Sequence, residues 1–281
     1  MPGTLFVVAT PIGNLEDITL RALRVLGEAD LIAAEDTRRT ARLLARHAIS
    51  TPTVSFHEHN TRTALPKLIS RLEESKAVAL VTDAGTPGIS DPGVELVRAC
   101  IERGIPVEPI PGVSAALTAA VASGFPLIPL TIAGFPPYRS KDKAKWFLAL
   151  SEIQWTVTFF EAPHRIQATL RTAGEILGDR QIMLGRELTK IHQEFLRGTA
   201  AELAEILPTP TKGEFTVVIS QVRQQPKHVE VLFASDEDIA AEFGHITELA
   251  PISRREAVRA TAQRLGIPSR QVYAAIERTK K

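Results

Sequence analysis

The chain has 281 residues, 44% of them hydrophobic and 23% charged, with a formal net charge of +1. This composition excludes a disordered, collagenous or membrane-bundle protein, and the length favours two or more domains over one core. A near-neutral chain also argues against a nucleic-acid partner, unless the average hides a basic region.

In chain order, short apolar runs alternate with segments of helical period. Leu5–Ala9 reads as a buried strand, and apolar spacing predicts a helix over Ile18–Gly27 with Gly27 as its C-cap. Leu31–Ala34 is a second strand, followed by a helix over Thr37–His47, and Ala77–Val81 is a third strand. Asp91 and Pro92 suit an N-cap and first helical position, and Gly104 closes the helix that they open. Strand Ile105–Ile110 and helix Ser114–Ser123 follow. Alternation of this kind specifies a largely parallel sheet covered by helices.

The tandem prolines of Gly134-Phe135-Pro136-Pro137 interrupt regular structure. Beyond them, strands are expected at Thr156–Phe160, Gln181–Gly185 and Phe215–Ser220, with a helix over Ile166–Leu177. This second α/β stretch ends at a polar, proline-bearing linker, Gln221–Lys227. The expected domains are therefore an α/β lobe over 1–133, a second over 134–225, and a helical appendage over 226–281. Charge follows the same division: about zero over 1–225, about −5 over 226–252 and about +6 over 253–281. Helices over Arg254–Leu265 and Gln271–Arg278, about a turn at Gly266–Ser269, resemble a basic helix-turn-helix.

Several strand-to-helix loops carry the chemistry. Thr10–Asp17 holds a tight turn with Pro11 and Gly13, which an ordinary turn also explains. Thr82–Gly93 has three glycines, two prolines and two aspartates, more special backbone than a turn requires. Gly85 and Gly88 permit close main-chain approach to a ligand, and Asp83 at a strand end is expected to accept hydrogen bonds or to face a cation, whereas Asp91 is explained as a cap. The small residues of Pro111–Ala116 let something flat pack closely. These loops at strand ends point to one pocket beside the sheet. Glu35-Asp36-Thr37-Arg38-Arg39 offers carboxylates as bases and arginines for phosphate, with helix capping by Asp36 an equal alternative. Glu161–Arg165 and Arg186–Lys190 add charges at two further strand ends.

No glycine-triplet dinucleotide fingerprint and no GxxxxGK[ST] loop occurs, so nicotinamide redox and ordinary ATPase chemistry lose support. His57-Glu58-His59 lacks metal-ligand spacing, and no zinc site is expected. The single cysteine, Cys100, cannot form an internal disulfide and reads as a small core residue. Neither a signal peptide nor a membrane span is evident, so a cytoplasmic protein with no membrane partner is expected.

Taken together, ATPIGNLEDIT (9–19), LIAAEDTRRT (31–40), HEHN (57–60), TDAGTPGISDPG (82–93), PGVSA (111–115), GFPP (134–137), FFEAPHR (159–165), GRELTK (185–190) and KGEF (212–215) resemble the tetrapyrrole methylase-like methyltransferases. Within that family they are most similar to the branch that 2′-O-methylates a cytidine in the decoding region of small-subunit ribosomal RNA. The resemblance covers about residues 4–222. Val113 and Gly185 depart from residues common in that branch. It implies a homodimer of two-lobed subunits with S-adenosylmethionine in the interlobe cleft. Cofactor contacts would fall on Pro11, Ile12, Ala84, Gly85, Thr86, Ile89, Ser114, Ala115, Glu161, Gly213 and Glu214.

Removing a proton from a ribose hydroxyl calls for a base, for which Glu35, Asp36 and Lys190 are candidates. Asn14, Arg38, Arg39, Lys141 and Arg186 are candidates for holding the RNA. Two basic patches are available for it, one of Arg38, Arg39, Arg42 and Arg46 and one of Arg139, Lys141, Lys143 and Lys145, each of which a solvated helix face also explains. The competing readings are methylation of a tetrapyrrole precursor on the same fold and, from another class, a DNA-binding regulator using the C-terminal helices.

Overall fold

The computed structural model describes residues 2–89, 93–222, 235–249, 253–265 and 267–279. These fall into two units, Met1–Val222 and Arg223–Lys281. Asp91 and Pro92, Gly266 of the C-terminal turn, and Arg223–Lys227 of the expected linker lie outside the described residues.

The first unit begins with β1 (Leu5–Val8), α1 (Leu20–Glu28), β2 (Leu31–Ala34), α2 (Thr37–Arg46), β3 (Thr53–Ser55), α3 (Thr61–Glu73), β4 (Val78–Val81), α4 (Val94–Glu102), β5 (Val107–Ile110) and α5 (Ala115–Ser123). The five strands form one parallel sheet in the order β3-β2-β4-β1-β5. Side chains that alternate between the two faces of the buried strands explain its two cores: Val78 and Leu80 meet Leu68, Leu72, Leu96 and Cys100 on one face. Ala79 and Val81 meet Ala22, Val25, Leu26 and Leu44 on the other. Burial raises the Cys100 thiol to about 11, consistent with a core residue.

Helix ends follow local capping. Thr19 accepts from Ala22 N–H and starts α1, and the helix runs through Gly27 to Glu28, so Gly27 is not its cap. Asp36 caps α2 by accepting from Arg38 N–H at 2.8 Å. Gly104 takes the left-handed conformation after α4, as its position suggested.

The unit continues with β6 (Leu130–Ile132), α6 (Ser140–Ser151), β7 (Thr156–Glu161), α7 (Ile166–Leu177), β8 (Gln181–Arg186), β9 (Glu194–Thr199), α8 (Ala200–Ile206) and β10 (Phe215–Ile219). This second sheet, in the order β6-β7-β10-β8-β9, is mixed: β6 and β7 are parallel, and the other neighbours are antiparallel. Val157, Phe159, Leu184 and Val217 pack under α6, α7 and α8. Met183 and Val218 on the opposite face meet Ala119 of α5. The alanines of α5 thus bring the helix that follows the first sheet against the second.

The second unit contains α9 (Asp236–Leu249), α10 (Arg254–Leu265) and α11 (Ser269–Thr279) around a core of Ile239, Val258, Ala262, Ile267, Val272 and Ile276. The expected helix pair is present as α10 and α11, and α9 joins it. No helix among the described residues is long and apolar enough to cross a membrane.

Candidate active site

Because β1, β2, β4 and β5 are parallel, the loops after them leave one edge of the sheet. They meet the second lobe, where antiparallel pairing sets Phe215 beside Glu161 and Thr216 beside Phe160. Between them lies a cavity of about 430 Å3, a size usual for small-ligand sites. Ile12, Leu188, Phe135, Phe160 and Phe215 form its apolar wall, Ala84, Ser114 and Ala115 a low wall, and Glu35, Asp83 and Arg39 its charged side.

The acidic side is built by exchange between two loops. Glu35 Oε2 accepts the N–H of Asp83 at 3.1 Å, and Asp83 Oδ1 accepts the N–H of Asp36 at 3.0 Å. Asp83 Oδ2 stands 3.4 Å from Arg39 Nη1. Thr10 and Gly85 exchange backbone hydrogen bonds at 2.8 and 3.0 Å, and Gly85 does so with φ +84°, which favours glycine. Thr86 Oγ1 donates to Val113 O at 3.3 Å, tying the third loop to the others.

The first loop is also seated against the turn Glu187–Lys190. Asn14 N–H donates to Thr189 Oγ1 at 3.0 Å, and a Cβ on Gly13 would lie 2.6 Å from Lys190 Cγ. Glu187 (φ 51°) and Thr189 (φ 65°) take left-handed conformations that non-glycine residues adopt at a cost. The turn is held by Glu187 N–H to Glu214 O at 3.0 Å and Thr189 N–H to Gln193 Oε1 at 2.7 Å.

Of the residues expected to contact a cofactor, Ile12, Ala84, Gly85, Thr86, Ile89, Ser114, Ala115, Glu161 and Glu214 line the cavity, as do Glu35 and Arg39. The other expected residues lie off this wall, and most have other partners. Pro11 is buried at the start of the first loop. Gly213, at φ +93°, packs where a Cβ would meet Glu187 Cγ at 2.7 Å. Asn14 caps a short 3-10 turn. Arg38 folds back on Asp36 through hydrogen bonds of 3.0 and 2.7 Å. Arg186 donates to Lys212 O at 2.8 Å and faces Glu194 at 3.3 Å. Lys141 is exposed on α6, but Lys143, expected beside it in a basic patch, is buried and donates to Thr169 Oγ1 at 2.8 Å.

Electrostatics separates the three candidate bases. The Arg38 side chain and N–H hold the Asp36 carboxyl well below the usual carboxylate range. Burial works against the charge of Lys190, but hydrogen bonds to Glu187 at 2.8 Å and Glu214 at 2.9 Å outweigh it and raise its pKa. A carboxylate so stabilised accepts a proton poorly, and an ammonium so stabilised releases one poorly. Glu35, on the cavity wall, makes no hydrogen bond through Oε1 among the described residues.

Glu161 reaches the cavity, but its carboxylate is fully buried. It accepts from Thr169 Oγ1 at 2.6 Å and Ala162 N–H at 2.9 Å, and lies 3.1 Å from Arg165 Nε. Arg165 in turn donates to Pro136 O at 2.5 Å, which fixes the segment bearing Phe135. Sequence reasoning had weighed Asp83 as an acceptor without assigning it to the site. It had missed Phe135, Phe160, Ala162, Pro163, Leu188, Phe215 and Thr216 as wall residues, although all but Thr216 lie in the quoted motifs.

Residues 4–204 match the family of Tetrapyrrole (Corrin/Porphyrin) Methylases. A protein of Halalkalibacterium halodurans, "Ribosomal RNA small subunit methyltransferase I", is 44% identical over 274 residues, 96% of this chain and 93% of its own length. A Thermotoga maritima protein of the same name is 47% identical over 219 residues, 78% of this chain and 98% of its own. In fold, the chain is similar to uroporphyrin-III C-methyl transferase from Thermus thermophilus complexed with S-adenyl homocysteine. The TM-score is 0.56 at 18% identity, covering 78% of this chain and 97% of that one. The sequence match and the two-lobed architecture agree that the chain belongs to the tetrapyrrole (corrin/porphyrin) methylase family.

Proposed function

We propose that the protein is an S-adenosylmethionine-dependent methyltransferase that modifies the ribose 2′-hydroxyl of a cytidine in the decoding region of small-subunit ribosomal RNA. The observation that carries the reading is identity above 40%, over nearly the whole chain, to small-subunit ribosomal RNA methyltransferases. The C-terminal helices alone do not favour a DNA-binding regulator, since the methylase match spans residues 4–204. The substrate assigns the protein to the cytoplasm, where ribosomes are.

The cavity fits the cofactor chemically. Small residues at Ala84, Ser114 and Ala115 admit a flat base, the apolar wall suits its faces, and Asp83 complements a positive sulfonium. When bound, S-adenosylmethionine supplies an electrophilic methyl group. The chain's own part is to align the acceptor, exclude water with Ile12, Leu188 and Phe135, and take the hydroxyl proton on Glu35 Oε1. Asp83 fixes the direction of that carboxylate by donating its N–H to Oε2. Arg39, at the edge of the same wall, meets RNA phosphate.

The protein acts as a homodimer. No charged residue occurs from Pro111 through Tyr138. In this stretch Leu117 is 52% exposed, Val121 70% and Ile128 96%. So extended an uncharged, apolar surface suits a self-complementary contact.

Digesting RNA from treated subunits to nucleosides tests the chemistry. The reading expects 2′-O-methylcytidine, and a methyl group on the base contradicts it.

A further inference from the structure

We infer that Arg39, Arg42 and Arg46 form a track on α2 that carries the phosphates of the RNA strand away from the cavity, a proposal that rests on the ribosomal RNA reading. Positions 39, 42 and 46 share one helix face and span about 10 Å of axis. All three side chains are exposed, while Thr40, Leu43 and Leu44 bury the opposite face. The track begins in the cavity wall, because Arg39 lines it.

The helix is poorly arranged for its own stability. Residues Thr37–Arg46 include four arginines and no acid. Two of them, Arg38 and Arg39, stand in the first turn, where the helix dipole disfavours cations. Asp36, the helix N-cap, offsets Arg38, and Asp83 offsets Arg39 from the cavity wall. Arg42 and Arg46 have no acidic partner among the described residues. An external polyanion is the partner that this arrangement lacks. Arg38 is excluded from the track because its guanidinium is turned onto Asp36.

The test compares wild type with Arg42→Ala/Arg46→Ala, assayed for methyl transfer to undermethylated small subunits across a salt series. Arg98→Ala, which removes an exposed arginine from α4, serves as control. Two lost phosphate contacts should flatten the log–log salt dependence of kcat/KM by about 1.4 and raise KM roughly 10- to 30-fold near 0.1 M salt. Affinity for S-adenosylmethionine and kcat at saturation should stay as in wild type, and Arg42→Lys/Arg46→Lys should regain most of the slope. A double variant with the KM and salt slope of the Arg98→Ala control overturns the track. Wild type that methylates no RNA contradicts the proposed activity instead. The track is then judged by fluorescence anisotropy with an oligoribonucleotide, where equal affinity of wild type and the double alanine variant overturns it.

Discussion

Glu35 and Asp83 brace one another across two loops: the Glu35 carboxylate accepts the N–H of Asp83 at 3.1 Å, and the Asp83 carboxylate accepts the N–H next to Glu35, that of Asp36, at 3.0 Å. One oxygen of Glu35 serves the brace, which leaves the other for chemistry. Glu35→Gln keeps an oxygen acceptor for Asp83 while removing the base. It should lower kcat by roughly 10²- to 10⁴-fold. Cofactor affinity, measured by calorimetry, should stay within about threefold of wild type, given that the glutamine preserves the brace. Wild-type turnover in this variant removes Glu35 from the reaction.

Lys190 acts as a cation, held between Glu187 and Glu214. Burial pushes the Glu187 carboxyl upward, but Lys190 and the Glu214 N–H prevail and leave it below its usual 4.5. A lowered carboxyl contributes stability that is full above that usual value and lost as pH falls through the lower folded one. The raised Lys190 contributes stability below its usual 10.5, lost only as pH rises through its higher folded value. Lys190→Ala should therefore cost about 1–3 kcal/mol at neutral pH, from the charged hydrogen bonds that it removes. Denaturant unfolding of the two proteins should show that difference shrinking below the usual glutamate value. A constant difference down to the acid transition contradicts the assignment.

Val121→Glu places a charge on the exposed face of α5. In sedimentation velocity the wild type should run as a dimer and the variant as a monomer with unaltered circular dichroism, because a buried unpaired charge is costly. A dimer of unchanged affinity in the variant moves the interface elsewhere.

Truncation after Val222 removes the three-helix unit. The Thermotoga maritima relative leaves no room for such a unit, since 219 matched residues make up 98% of it. The truncated protein should bind cofactor as the full chain does. Its RNA affinity should fall, with a shallower salt dependence, through loss of the arginines of α10 and α11. Equal RNA affinity in both proteins excludes a docking role for the unit.

Much of the fold was legible because the strongest periodic segments are also the best buried. Leu31–Ala34 and Ile166–Leu177 stand where apolar pattern puts them. The missed strands share a cause. Strands β3, β6 and β9 are half-exposed edges, so tertiary pairing decides them. Helix α3 carries Pro66 in its second turn, a residue that reads as a break. Helix α6 starts at Ser140, three residues after the tandem prolines, and its Lys143 looks solvated until Thr169 is brought to it. In the site, loop composition pointed to Gly85 and Ala115. Partners distant in sequence, Glu214 for Lys190 and Thr169 for Lys143, settled part of which charged side chains were already engaged. The partners of Asp36 and Glu161 lie close by in the chain but engage them only once the loops are folded.

The most direct measurement incubates the full-length protein with radiolabelled S-adenosylmethionine and, in parallel, undermethylated small ribosomal subunits and a porphyrinoid precursor. The account predicts label in the RNA and none on the porphyrinoid. Label on the porphyrinoid alone would contradict it and return the protein to the chemistry after which its family is named.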